Sequence, residues 1–149
     1  MNTRNILSVF IITLTLCSFS IGQPQLANSQ PLSSILKSVE AQKIGIIANA
    51  ELDEGLWEVK VCNSGECQKL YIDPISGMEK FRKGTDREEL PPADALLIST
   101  IIESLESKGT KDIKEVEFED GLWEVKFRKS ANKPKLYIDP LSGEEKASY

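Results

Sequence analysis

Two stretches of the chain carry the three-to-four spacing of a helix that is buried on one side. Leu32, Ile35, Leu36 and Val39 fall at i, i+3, i+4 and i+7, and Ile98, Ile101, Ile102 and Leu105 repeat the pattern. Prolines precede both, Pro31 in one case and Pro91-Pro92 in the other, and Gly109 is placed to end the second helix. After each helix the period shortens towards two, which predicts first strands over 45–52 and 113–118. In the second of these, Ile113, Glu115 and Glu117 alternate with Lys114, Val116 and Phe118. Acidic turns, Asp53-Glu54-Gly55 and Glu119-Asp120-Gly121, then lead into a hairpin. If Cys62 opposes Cys67 across its turn, Val61 faces Gln68, Val59 faces Leu70 and Trp57 faces Ile72 on one side. Glu58 with Tyr71 and Lys60 with Lys69 then share the other side, the pattern of a sheet packed on one face. Trp57, Val59, Trp123 and Val125 are thereby assigned to the core.

The hairpin occurs twice. Residues 55–80 and 121–146 align without a gap at an offset of 66, with 17 of 26 positions identical. A chain of this kind is two copies of one unit. The expected fold class is α+β: two tandem α-β-β-β units, each an antiparallel sheet with one helix packed on one face. They cover residues 31–80 and 92–149, and 81–91, rich in charge and breakers, reads as a linker. Asp73-Pro74-Ile75-Ser76-Gly77 and Asp139-Pro140-Leu141-Ser142-Gly143 turn the chain out of the two hairpins.

Composition narrows the chemistry. The 149 residues contain no histidine. That removes the commonest general base and zinc ligand, and every Ser-His or Cys-His nucleophilic pair. A net charge of −5 argues against nucleic acid and anionic membrane as partners. The N-terminus has the pattern of an export signal, with Arg4 ahead of the uncharged apolar run 6–21. Cleavage is expected after residue 22, or as late as 29, leaving no membrane attachment. Cys17 offers lipidation as an alternative, although Leu16 before it departs from the usual small residue. Cys62 and Cys67 flank Asn-Ser-Gly-Glu, a turn-forming tetrad that sets their sulfurs across an antiparallel pair, within reach of a disulfide. Two free thiols at a hairpin tip are the other reading.

A helix followed by three strands, an aromatic-x-Val strand, the Tyr-x-Asp-Pro-x-x-Gly exit and an export signal together resemble the PepSY domain family, in particular its small secreted members. Two such units in tandem are similar in layout to secreted beta-lactamase inhibitor proteins. The resemblance implies a non-catalytic protein in the periplasm or outside the cell that binds another protein, with an extracytoplasmic peptidase as candidate partner. No peptidase follows the units in this sequence, so inhibition would act on a separate molecule.

Candidate binding residues lie on the open side of each sheet. Tyr71 and Tyr137 are large amphipathic rings suited to anchoring a partner. Lys126, Arg128, Lys133 and Lys135 are expected to form a basic patch in the second unit, either steering an acidic partner or guarding a strand edge. No catalytic group, cofactor or metal cluster stands out. A small-ligand or calcium-binding protein is the alternative reading, resting on a cleft between units or on the acidic turns, which lack the ligand count of a calcium loop.

Overall fold

The structure, a computed structural model, describes residues 28–132 and 134–147. The expected leader, Cys17 and Lys133 lie outside the described residues. The two apolar stripes form α1 (Leu32–Glu40) and α2 (Ile98–Ser107). Pro31 is the residue that starts α1, whereas Leu97 starts α2 and Pro91 is buried in the loop before it. Gly109, at φ +89°, follows α2 in the left-handed conformation that closes a helix, and the Thr110 N–H returns to the Leu105 carbonyl.

Four strands follow each helix where three were expected. The first set is β1 (Ile46–Asp53), β2 (Leu56–Asn63), β3 (Glu66–Ile72) and β4 (Glu79–Thr85). The second is β5 (Ile113–Glu119), β6 (Leu122–Phe127), β7 (Leu136–Ile138) and β8 (Glu145–Lys146). Residues 81–85, expected in a linker, therefore continue β4. All eight strands belong to one antiparallel sheet in the order β4-β3-β2-β1-β5-β6-β7-β8. The halves meet through β1 and β5, where Ala50 faces Val116, both fully buried.

Hairpin register follows the alternation of the sequence. Cys62 pairs Cys67, Val61 pairs Gln68, Val59 pairs Leu70 and Trp57 pairs Ile72. The β1–β2 turn places Glu54 and Gly55 at positive φ, and the β5–β6 turn does the same with Asp120 and Gly121, as tight hairpins require. Register shifts interrupt both first strands, between Ile47 and Asn49 and between Ile113 and Glu115. The second corrects the expected alternation of 113–118. With Lys114 as the extra residue, Ile113 joins Val116 and Phe118 in the core, while Glu115 and Glu117 take the opposite face. Gly45 is required by close approach, since a Cβ there would stand 2.5 Å from the Cys62 carbonyl oxygen.

One core lies between the sheet and the helix pair. It contains Leu32, Ile35, Leu36 and Val39 of α1, Ile98, Ile101, Ile102 and Leu105 of α2, and Trp57, Val59, Trp123 and Val125 of the sheet. Burial of side chains of this size contributes roughly 1.5–3 kcal/mol each. The helices lie antiparallel and cap one another. Ser33 at the start of α1 donates its N–H and its O–H to the Glu106 carboxylate at the end of α2, the hydroxyl at 2.5 Å. Ser99 at the start of α2 donates in the same way to Glu40 at the end of α1. A carboxylate at a helix N-terminus satisfies an orphan donor and meets the positive end of the dipole. Here each carboxylate comes from the other helix, so the caps tie the halves together. Midway along, Lys37 pairs with Glu103 at 2.5 Å.

Candidate functional site

Both helices cover one face of the sheet, leaving the other face to solvent and to the chain between β4 and α2. That segment is not a free linker. The Arg87 guanidinium donates to the Gly65 carbonyl at the β2–β3 turn, Glu88 pairs with Lys60 on the sheet face, and Glu89 accepts the Asp120 and Gly121 N–H groups at the β5–β6 turn. It forms a strap over one end of the face expected to be open, and Lys60 beneath it is only 9% exposed.

Among the described residues the expected basic patch is broken up by ion pairs. Lys126 is held at 3.0–3.5 Å by Glu115, Glu117 and Glu124, which project from β5 and β6 on the same face. Burial alone would lower the pKa of Lys126, yet hydrogen bonds and charge from Glu117 and Glu115 outweigh it and hold the ammonium well above its ordinary value. Lys135 pairs with Glu124 at 2.6 Å, which raises the Lys135 pKa. Burial pushes the Glu124 carboxyl upward, but Lys135 and Lys126 prevail and it is lowered. Glu115 is raised, mainly by burial. Lys69 with Glu58 and Lys114 with Glu51 extend the same compensation. Arg128 stands apart from these residues, in a cleft on the helix side of the sheet. Sequence alternation missed this because two of the carboxylates that neutralise Lys126, Glu115 and Glu117, come from β5, whose register shifts at Lys114, and because Lys135 meets Glu124 across strands.

The two tyrosines differ. Tyr71 on β3 stacks on Phe81 of β4, ring centroids 4.2 Å apart and planes 19° from parallel. The Lys83 ammonium lies 5.4 Å and 5.3 Å from the two ring centroids. Phe81 is 44% exposed, so the stack presents a sizeable apolar surface with a cation at its rim. Tyr137 on β7 faces Lys146 of β8, and Ala147 occupies the position related to Phe81. The sequence contained the signal for Phe81, an aromatic residue in an alternating run, but its charged neighbours disguised the run as a linker.

Other singled-out residues are structural. Trp57 and Trp123 lie in the core, with Trp123 edge-on to Phe118 at 5.3 Å. Cys62 and Cys67 form a disulfide, buried against Ala48. Asp73 accepts the Ile75 and Ser76 N–H groups, and Asp139 accepts those of Leu141 and Ser142. The Ser76 and Ile75 bonds hold the Asp73 carboxyl down at about 2. Among the described residues no group of three or more His, Cys, Asp or Glu is placed to hold a metal. No helix among them is long and apolar enough to cross a membrane.

Residues 85–145 match the model of the family described as peptidase propeptide and YPEB domain. The match begins at the end of β4 and so includes the strap, α2 and the second set of strands. A solved structure described as a lipoprotein of Clostridium difficile 630 is 14% identical, with 83% of this chain and 94% of that chain covered and a TM-score of 0.45. No curated protein sequence matches.

Proposed function

We propose that this chain, whose residues 85–145 form a domain of the PepSY family, is an exported, non-catalytic binding protein that regulates a separate enzyme. An extracytoplasmic peptidase is the partner class favoured by the family's description. The first 22 residues act as the leader, and a hairpin disulfide suits the oxidising compartment it leads to. The two halves are tandem copies of one unit, fused through β1 and β5, and the fusion leaves a single broad sheet face.

The observation that carries this reading is the Tyr71–Phe81 stack with Lys83 at its rim, on a face that no helix among the described residues covers. Aromatic rings with a cation beside them concentrate binding energy at protein interfaces. The remaining charges on that face are spent within the chain, so the stack is where a partner gains most. Among the described residues no ring stacks on Tyr137, which favours the β3–β4 side as the contact region. Regulation is by occlusion: the sheet lies against the enzyme and blocks access to it.

Capture on immobilised protein tests this directly. The wild type is expected to retain one extracytoplasmic enzyme saturably and to lower its turnover, and Tyr71→Ala/Phe81→Ala to retain at least tenfold less. Equal retention by both would refute the assignment of the stack.

A further inference from the structure

A cleft of about 640 Å³ opens on the helix side, between the start of α1 and the chain that leaves α2, with Trp57 in its lining. Two cations line it, Lys111 just before β5 and Arg128 just after β6, and their strands are joined there by the Arg128 N–H to the Asp112 carbonyl. Among the described residues neither cationic head has an ion-pair or side-chain hydrogen-bond partner. Of the two acids at the cleft, Glu106 accepts from Ser33, and Asp112 is exposed like Lys111 beside it. The cleft is therefore apolar at the indole, and its charges balance, but neither cation is ion-paired with the acids beside it among the described residues.

The internal repeat supplies a comparison within the molecule. At an offset of 66, Thr110, Lys111 and Arg128 correspond to Ile44, Gly45 and Cys62, and Gln30 and Pro31 correspond to Leu96 and Leu97. The related position thus has no cation, and Leu96 there packs against Gly143. Packing of the repeated unit does not require Lys111 and Arg128, since the other half folds in the same way without them. Two cations with no ion-pair partner among the described residues, beside a tryptophan in a concave site of ligand size, are the chemistry that receives an anion joined to an apolar body.

We infer that this cleft binds carboxylates that bear an apolar group, with the carboxylate at Arg128 and Lys111 and the apolar group against Trp57. Such a ligand is either a free aryl or alkyl acid or the C-terminal residue of a peptide. This site is independent of the Tyr71–Phe81 stack, on the opposite side of the sheet, and does not rest on the partner proposed above.

The test uses 3-phenylpropionate and N-acetyl-Ala-Phe as probes, each beside its primary amide, with titration calorimetry on the wild type. Tryptophan emission in Trp123→Phe then reports from Trp57 alone; the Trp123 indole N–H has no acceptor, so that change gives up no hydrogen bond. Saturable binding of at least one acid, at least tenfold tighter than its amide and lost at least tenfold in Lys111→Ala/Arg128→Ala, is the expected result. Binding of the peptide acid alone identifies the source as a peptide C-terminus, and binding of phenylpropionate alone as a free acid. No heat with either acid, equal affinity for acid and amide, or full affinity in a double variant with wild-type circular dichroism would overturn the inference.

Discussion

Replacing both cap serines, Ser33→Ala/Ser99→Ala, should weaken the whole molecule. Each change removes one hydroxyl donor from a carboxylate and leaves the backbone N–H to Glu106 or Glu40 in place. Loss of a hydrogen bond to a charged group costs about 1.5–3 kcal/mol, the low end applying here because the backbone N–H still meets the carboxylate. Both serines are buried, Ser99 to 1% exposure, so water does not replace the lost partner. The two caps lie at opposite ends of helices about 14–15 Å long, far enough apart for their effects to add. The expected loss is about 3 kcal/mol, or roughly 10 °C in Tm for a chain of this size. Guanidinium unfolding followed by tryptophan emission measures it, and Trp57→Phe and Trp123→Phe variants report each half separately. Both should show the same midpoint, because the caps and the shared sheet make one cooperative unit. Lys37→Ala is the control: its pair with Glu103 has side chains 48% and 55% exposed and should matter by less than about 0.5 kcal/mol. A double cap variant as stable as wild type, or halves that melt separately in the wild type, would refute the reasoning.

Other expectations follow from the same geometry. Reduction of the Cys62–Cys67 disulfide, or Cys62→Ser/Cys67→Ser, should lower stability by about 2 kcal/mol for so short a loop and leave the fold intact, as read by circular dichroism and denaturant midpoint. Lys126→Met strands Glu115 and Glu117, while Glu124 keeps Lys135, and should cost on the order of 1–3 kcal/mol; adding Glu115→Gln should restore part of it, which a double-mutant cycle in urea would detect. The Asp73 carboxyl falls from its ordinary 3.8 to about 2 on folding, so the unfolded chain takes up its proton first as pH drops. Its contribution is complete above about pH 4 and is lost as pH falls towards 2; Asp73→Asn/Asp139→Asn should flatten that part of the stability profile, and an unchanged profile would remove the turns from the account.

What could be read from sequence was what two periods encode. Leu32, Ile35, Leu36 and Val39 specified a helix, and the pairing of Cys62 with Cys67 fixed the register down to Trp57 and Ile72, because a period of two admits no intermediate slip. The fourth strands were hidden. Glu79–Thr85 lies at a sheet edge where little is buried, so its alternation carries almost no apolar signal beyond Phe81. The register shifts next to Ala48 and Lys114 were equally silent, since an extra residue changes the face of its neighbours without changing composition. Long-range partners were out of reach for a different reason. Ser33 and Glu40 recur at Ser99 and Glu106, but only the antiparallel docking of α1 on α2 turns that recurrence into two caps. The same holds for Lys126, whose charge looked available until β5 brought Glu115 and Glu117 beside it.

Site-specific photocrosslinking tests the central claim most directly. A benzoylphenylalanine placed at position 81 samples whatever rests on the Tyr71–Phe81 stack, and one placed at the exposed position 38 on α1 samples the helix side. In extracytoplasmic extract of the source, the account predicts one dominant adduct with an enzyme from position 81 and none of that enzyme from position 38. The same enzyme crosslinked from position 38 and absent from position 81 would contradict it.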